Sequence, residues 1–390
     1  MVNYETASQA ATRLGVTVRA VQKWAKEGKI QDVKKIGRDW MIPTDAVRPG
    51  EKVGKSKKET DFLSFPLMRG YSGCDFEKYI SSLRSEEEKA MARCEYYYII
   101  SDFEKCTIEA EMYMDSDNSA LRSMAATFCV FSNICKGHIN KSFHAYELMK
   151  STLKKSLSGE ENKNNLASVI LCAETVGLQL QLPVENSVGI GEYIKFFKNG
   201  VMAYACYLKA YGEYMKKRYE RALGISQLAL NLCEDEYVIS KIYLHLISSM
   251  SCINLLETET AQRHIEEAYK LASPHSFIMP FVENYNLLGG LIENAFKLAH
   301  PEFYAKIIQQ SKQYNSFLYE FYGKVGDKPV VSSLTNTELT VAMLYSRRWR
   351  VKEIASHLHL SERTVTNYIS YIYDKLNINS KRELEKYMIL

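Results

Sequence analysis

The 390-residue chain reads as mainly α-helical. A winged helix-turn-helix stands at the N-terminus, a solenoid-like array of paired helices in the middle, and a four-helix unit built around a helix-turn-helix at the C-terminus. Three observations predict this. Apolar residues recur at helical spacing through almost the whole chain, with two short β-prone runs near the start. Small residues in the middle repeat at an offset of 39 positions. Each end carries two apolar helical stripes separated by a tight turn. The expected boundaries are 1–48 for the first unit, 49–61 for a linker, 62–326 for the array and 327–390 for the last unit.

Thr6 and Gln9 have capping-box spacing, so the first helix starts near Ala7. Ala10, Ala11 and Leu14 line its inner face and Gly15 breaks it. A second helix runs from Thr17 to about Lys26, with Val21 and Trp24 inward and Gly28 as its stop. The runs VKKI and WMI, joined at Gly37-Arg38 and ended by Pro43, read as a small hairpin or wing. The strings AATRLGVTVRAVQKWAKEGKI and KKIGRDWMIP resemble the excisionase-like, MerR-type winged helix-turn-helix family. Val18, Arg19, Gln22 and Lys23 lie opposite Val21 and Trp24. Arg19 suits guanine and Gln22 adenine, while Lys35 and Arg38 on the wing are placed for phosphate or the minor groove. A purely structural helix-hairpin cap is the alternative.

The stretch VRPGEKVGKSKKET reads as a basic, Gly/Pro/Lys-rich linker. Its GEKVGKS string imitates a phosphate-binding loop. It has three residues between the glycines where that loop needs four, and no apolar strand precedes it. Nucleotide binding is not expected there.

From about Asp61 to Gly326 the pattern is helical almost throughout. Ser85 and Glu88 again have capping-box spacing before a long helix. Ala222 and Ala229 recur 39 residues later as Ala261 and Ala268, and Cys106 recurs as Ala145. Small residues at such places let paired helices approach closely, which is the signature of a stacked helix-pair solenoid. The stretch resembles a degenerate tetratricopeptide-like array, and a non-repetitive helical domain is the alternative. Tyr207, Tyr211 and Tyr214 share a helix face and read as inter-helix core rather than as a ligand groove. The concave face of a solenoid suits a peptide, protein or small-molecule effector, so this part is expected to sense one.

At the C-terminus, Ile354, Ala355, Leu358 and Leu360 form one stripe, and Val365, Ile369, Ile372 and Leu376 a second that opens at Ser361. The array LT-x-x-E, KEIA-x-x-L-x-LS-x-x-TV and I-x-x-KL-x-I resembles the LuxR/GerE-type DNA-binding domain. With Val365, Ile369 and Ile372 inward, Thr366, Asn367 and Ser370 face the bases, and Asn suits adenine. Arg350, Lys352, Arg363, Thr364 and Lys375 are placed for phosphates. Arg348 stands where the family usually has Gly and Val351 where it has a small polar residue, so the turn before KEIA is expected to differ. Tyr368 stands at a frequent His position. The resemblance implies a dimer surface around Leu384 and Met388, hence a homodimer.

Charge supports the two end units. Residues 1–60 carry a net +6 and residues 334–390 a net +3, while the remainder carries −5. Positive charge is concentrated where phosphate attraction requires it. The MVNYETASQ start is not a signal peptide and no run of 18 apolar residues exists, so a cytoplasmic chain off the membrane is expected. The 9 cysteines are scattered without a C-x-x-C pair and read as reduced thiols. No catalytic, metal or cofactor constellation stands out, and the middle lacks the strand-helix alternation of a phosphorylated receiver. The chain is therefore expected to be a non-enzymatic transcription regulator that binds double-stranded DNA. The alternatives are an interaction scaffold whose end units bind protein, and a recombination accessory factor.

Overall fold

The computed structural model describes residues 4–388 except 15, 31, 38, 45, 47–63, 74, 160, 183–188 and 327–333, which removes the expected linker and Arg38 from description. The chain divides into two compact units, residues 1–61 and 62–390.

In the first unit, strand β1 (Tyr4–Thr6) leads into helix α1 (Ala7–Leu14), followed by α2 (Val18–Lys26) and strands β2 (Lys34–Ile36) and β3 (Asp39–Pro43). The reciprocal cap is formed: Thr6 N–H donates to Gln9 Oε1 at 2.9 Å and Gln9 N–H to Thr6 Oγ1 at 3.3 Å. Thr17 caps α2 by accepting from Ala20 N–H, and Gly28 ends it at φ +63°. Both strand partners of β3 are antiparallel, in the order β1-β3-β2. The pairing of β1 with β3 was not legible in the sequence, because three residues make no periodic pattern. A small core of Ala7, Ala10, Ala11, Val21, Ala25, Ile30 and Ile42 holds the unit, with Trp24 and Trp40 packed against it.

The second unit opens with α3 (Phe76–Ser82) and continues as α4 (Glu86–Ile99), α5 (Phe103–Glu111), α6 (Ser119–Cys135), α7 (Ile139–Ser158) and α8 (Lys163–Gln179). After two short 3-10 turns come α9 (Asn199–Met215), α10 (Tyr219–Leu232), α11 (Val238–Asn254) and α12 (Thr258–Ala272). Consecutive helices pair as α4/α5, α6/α7, α9/α10 and α11/α12. The repeat lies on the second helix of each pair, where Cys106, Ala145, Ala222 and Ala261 are all fully buried. Backbones meet there. Cys94 Sγ on α4 donates to the Cys106 carbonyl at 3.8 Å, and Ser249 Oγ on α11 to the Ala261 carbonyl at 3.0 Å. A larger residue than Ala or Cys would push each pair apart. Helix α8 has no second helix among the described residues, and the 3-10 turns follow it instead.

Ser85 caps α4 by accepting from Glu88 N–H at 3.1 Å. Glu88 returns the bond not to Ser85 but to Arg84 N–H, and it also holds the guanidinium of Arg69. The expected box is thus half made. Tyr204, Tyr207, Tyr211 and Tyr214 are all buried, with successive ring centroids 5.5, 5.8 and 6.2 Å apart, so the cluster is inter-helix core.

Beyond the array lie α13 (Met279–Asn284), α14 (Leu291–Phe296) and the 25-residue α15 (Pro301–Val325). They fold back over the first helices of the pairs. Glu283 of α13 accepts from Tyr98 on α4 at 2.7 Å, Gln179 on α8 at 3.0 Å and Tyr243 on α11 at 3.0 Å. Burial pushes its carboxyl up to about 7. Helix α15 packs on α6, α7 and α13. Part of the array's surface is therefore covered by the chain's own α13 and α15.

Four helices complete the unit: α16 (Asn336–Ser346), α17 (Val351–His357), α18 (Glu362–Leu376) and α19 (Lys381–Tyr387). They pack on the array rather than standing apart. The His357 side chain hydrogen-bonds the Gly289 carbonyl at 2.7 Å, and Asn294 Nδ2 donates to the His357 carbonyl at 2.8 Å. Gly289 and Gly290 lie at φ +59° and +84° under Met343, Leu344 and Leu358, where backbone must pass close to the last four helices. No helix among the described residues is long and apolar enough to cross a membrane.

Candidate nucleic-acid interface

The C-terminal motif can be traced bond by bond. In LT-x-x-E, Thr335 accepts from Glu338 N–H at 3.3 Å and Glu338 accepts from Thr335 N–H at 2.7 Å, the complete capping box of α16. Glu338 is nearly buried and also receives Lys375 Nζ from α18 at 2.7 Å. The two ends of the motif are thus one ion pair that sets α18 against α16. Lys375, expected at a phosphate, is committed to that pair. Glu338 is held below the usual carboxylate range, because the bonds from Lys375 and Thr335 outweigh its desolvation.

The inter-helix turn is equally specific. Arg348 takes φ +70°, the left-handed conformation that a glycine accommodates freely. The turn keeps a glycine-like backbone in spite of the arginine. Trp349 is buried beside His357, and Glu353 accepts from Arg350 N–H at 2.7 Å at the start of α17. His359 at φ +54° makes the next turn, and Ser361 caps α18 by accepting from Thr364 N–H at 3.0 Å.

Val365 and Ile372 are fully buried and Leu376 nearly so, which turns the opposite face of α18 outward. Arg363, Thr366, Asn367 and Ser370 are exposed there, with Thr364 half-buried at the edge. Thr366 Oγ1 donates to the Glu362 carbonyl at 2.9 Å, so its methyl and oxygen lone pairs remain for a ligand. Arg350 and Lys352, around the start of α17, are exposed as well. One candidate was missed. Tyr371 is 54% exposed, one turn beyond Asn367 on the same face. The helical period carried that signal, but tyrosine in this chain is mostly core.

In the first unit, Val18, Arg19, Gln22 and Lys23 are all exposed on α2, opposite buried Val21 and Ala25. Lys35 is exposed on the wing with its ammonium 5.5 Å from the Trp40 ring centre. Lys26 and Lys34 extend the positive face and were not singled out; Lys34 lies 4.4 Å from the Tyr4 ring centre. Arg13 is the counterexample. It pairs with Glu5 at 2.6 Å and donates to the Ala46 carbonyl, a structural clasp.

Each end therefore presents a capped helix whose inner face is core and whose outer face is polar, with exposed cations on it or beside it. Residues 332–388 match the family of bacterial regulatory proteins, luxR family. Residues 6–48 match a helix-turn-helix domain. No curated protein and no solved structure matches the chain. Two helix-turn-helix DNA-binding domains on one chain, one of them luxR-type, support a DNA-binding regulator.

The terminal helix differs from expectation in one respect. Leu384 is fully buried and Met388 half-buried, both packed inward. Leu384 is therefore not free surface for a partner. Eight cysteines are described, six of them buried and two half-buried, none in a disulfide. No group of three metal-binding side chains is present among the described residues.

Proposed function

We propose that the protein is a sequence-specific transcription regulator with two DNA readers and a helical middle that senses an effector or partner. The observation that carries the proposal is α18. Its inner face is spent on core, so Thr366, Asn367 and Ser370 stand free for base edges. Asn367 is the adenine reader in this assignment, and Arg363, Thr364, Arg350 and Lys352 hold phosphate. In the first unit, Arg19 and Gln22 read bases with Val18 beside them, and Lys23, Lys35 and Arg38 neutralise backbone charge. The domain limits follow the same reading: 1–48, a tether at 49–61, 62–326 and 327–390. Two tethered readers recognise a composite site, each weak contact reinforced by the other through effective concentration. A homodimer would fit inverted half-sites, using the outer residues of α19.

Selection of binding sites from a random duplex pool tests the proposal. The full chain is run beside Thr366→Ala/Asn367→Ala, at two salt concentrations. The expected outcome is an enriched two-part motif, of which one part vanishes in the variant. Enrichment of no motif by the full chain would overturn the regulator reading in favour of an interaction scaffold.

A further inference from the structure

A cleft with a cavity volume of about 80 Å³ opens between α13, α15 and the last four helices. Its walls come from both sides of the seam that docks the DNA-binding module on the array. The array contributes Gln181, α13 and the turn after it contribute Glu283 and Asn286, and the module contributes Met343, Arg347 and Met388.

Two buried polar atoms in this cleft have no hydrogen-bond partner, and a carboxyl beside them is bonded but has no cation. Glu283 accepts from three neutral donors, and a carboxylate offers about four acceptor sites. No lysine or arginine pairs with it among the described residues. On the other wall, Arg347 Nη1 is buried without a hydrogen-bond partner, and its guanidinium lies 5.3 Å from the Tyr214 ring centre. Gln181 Oε1 is likewise buried and unpartnered, on a residue held at φ +53°. A buried polar group without a partner is costly, and a half-satisfied set of them points to something that completes it.

Arg347 is cationic, and Glu283, with its carboxyl pushed up to about 7, is partly anionic at neutral pH; both line one cleft and do not pair with each other. A molecule that satisfies both needs an anionic end for Arg347 and a cationic end for Glu283. Gln181 Oε1 is ready to accept a further N–H from the cationic end. The remaining wall is mixed, with Leu287, Leu318, Leu339 and Met343 beside Tyr314 and Asn315. A cavity of about 80 Å³ admits only a small molecule. Water alone would complete Gln181 but would neutralise neither charge.

We propose that this seam is the effector site, and that it takes a small zwitterion of amino-acid type, its carboxylate on Arg347 and its ammonium on Glu283 and Gln181. The proposal rests on the sensing role given above to the helical middle. The ligand bridges array and module, because Gln181 belongs to the array, Glu283 to α13 and Arg347 to the turn after α16. Occupation therefore tightens the docking of α16 on the array, and any ligand that prefers the docked state shifts that equilibrium. A carboxylate or an amine alone satisfies half of the site and binds more weakly.

The test uses the full chain and a panel of the twenty proteinogenic amino acids, with acetate and ethylamine as half-ligands. Thermal shift and calorimetric titration read binding, and amide exchange reads docking. At least one amino acid with a small apolar side chain is expected to raise the melting temperature saturably. It is also expected to slow exchange in residues 339–347, while neither half-ligand does so at the same concentration. Arg347→Gln is expected to weaken that binding at least tenfold, and Glu283→Gln likewise. Gln181→Leu leaves both charges in place and weakens binding by less, which guards against a variant that merely fails to fold. Absence of binding by every panel member overturns the proposal, and so does binding that Arg347→Gln and Glu283→Gln leave unchanged. The sensing role fails separately: a zwitterion that binds the seam yet leaves DNA affinity unchanged keeps the site and removes the role.

Discussion

Glu95 shows how much a single residue can decide. It lies on α4, is 1% exposed, and accepts the backbone N–H groups of Leu67 and Met68 at 2.8 and 3.1 Å. It thereby holds the segment that leads into the array, while burial pushes its carboxyl up to about 8. A carboxyl raised in the folded state keeps a proton that the unfolded chain releases near its ordinary value. The stability it contributes is full below about pH 4.5 and is lost as pH rises through about 8, at about 1.4 kcal/mol per unit of displacement. Urea midpoints are expected to fall across that window, and less steeply in Glu95→Gln; parallel curves for the two proteins would refute this. Arg348 supplies a second case. Its left-handed backbone is strained for any residue with a Cβ, so Arg348→Gly is expected to stabilise the chain by about 0.5–1 kcal/mol in urea titration. A loss of stability would mean that the arginine side chain contributes more than its backbone costs.

Helix α18 concentrates the functional argument at the scale of one element. Its cap, inner stripe and outer face were legible in the sequence, because caps and helical periodicity are local: Ser361 meets Thr364 within one turn, and Val365 and Ile372 lie on one face. Lys375 was not legible as a structural ion. Its partner Glu338 stands 37 positions away, and only the packing of α16 on α18 brings the two together. The helix therefore divides into residues that build it and exposed residues that the proposed function assigns to DNA. Asn367→Ala is expected to weaken binding by about 1–3 kcal/mol at one base pair and to relax preference there. Arg363→Ala is expected to weaken all sequences alike and to reduce the slope of log affinity against log salt by about one. Footprints and salt titrations on a selected site distinguish them. A sequence-dependent loss from Arg363→Ala would move that residue into base readout.

At the scale of the whole molecule, the second unit carries its DNA-binding module clamped to the array. The clamp includes the His357 and Asn294 hydrogen bonds and apolar side chains laid over Gly289 and Gly290. A Cβ at Gly290 would stand 2.5 Å from Leu358 Cδ2, at φ +84°. Gly290→Ala is therefore expected to loosen the module from the array. Amide exchange should rise in α17 and around residues 289–294, while α9 to α12 keep their protection. Protection lost throughout the array instead would mean that the module and the array unfold as one. Burial of His357 holds its imidazole below the ordinary histidine value, so the clamp is made by the neutral ring across the neutral range.

The sequence by itself determined the helical class, the 39-residue repeat, both helix-turn-helix units and the outward faces of α2 and α18. The repeat is written in a fixed offset, and the others in spacings of three, four or seven residues or in a cap one turn long, which local rules read directly. Tertiary structure alone decided that α13 and α15 cover part of the array's surface, that β1 joins the wing, and that Lys375 serves Glu338. It also decided that Glu283 and Arg347 line one cleft. These contacts join residues dozens of positions apart, and their register depends on how whole helices pack, which no local pattern encodes.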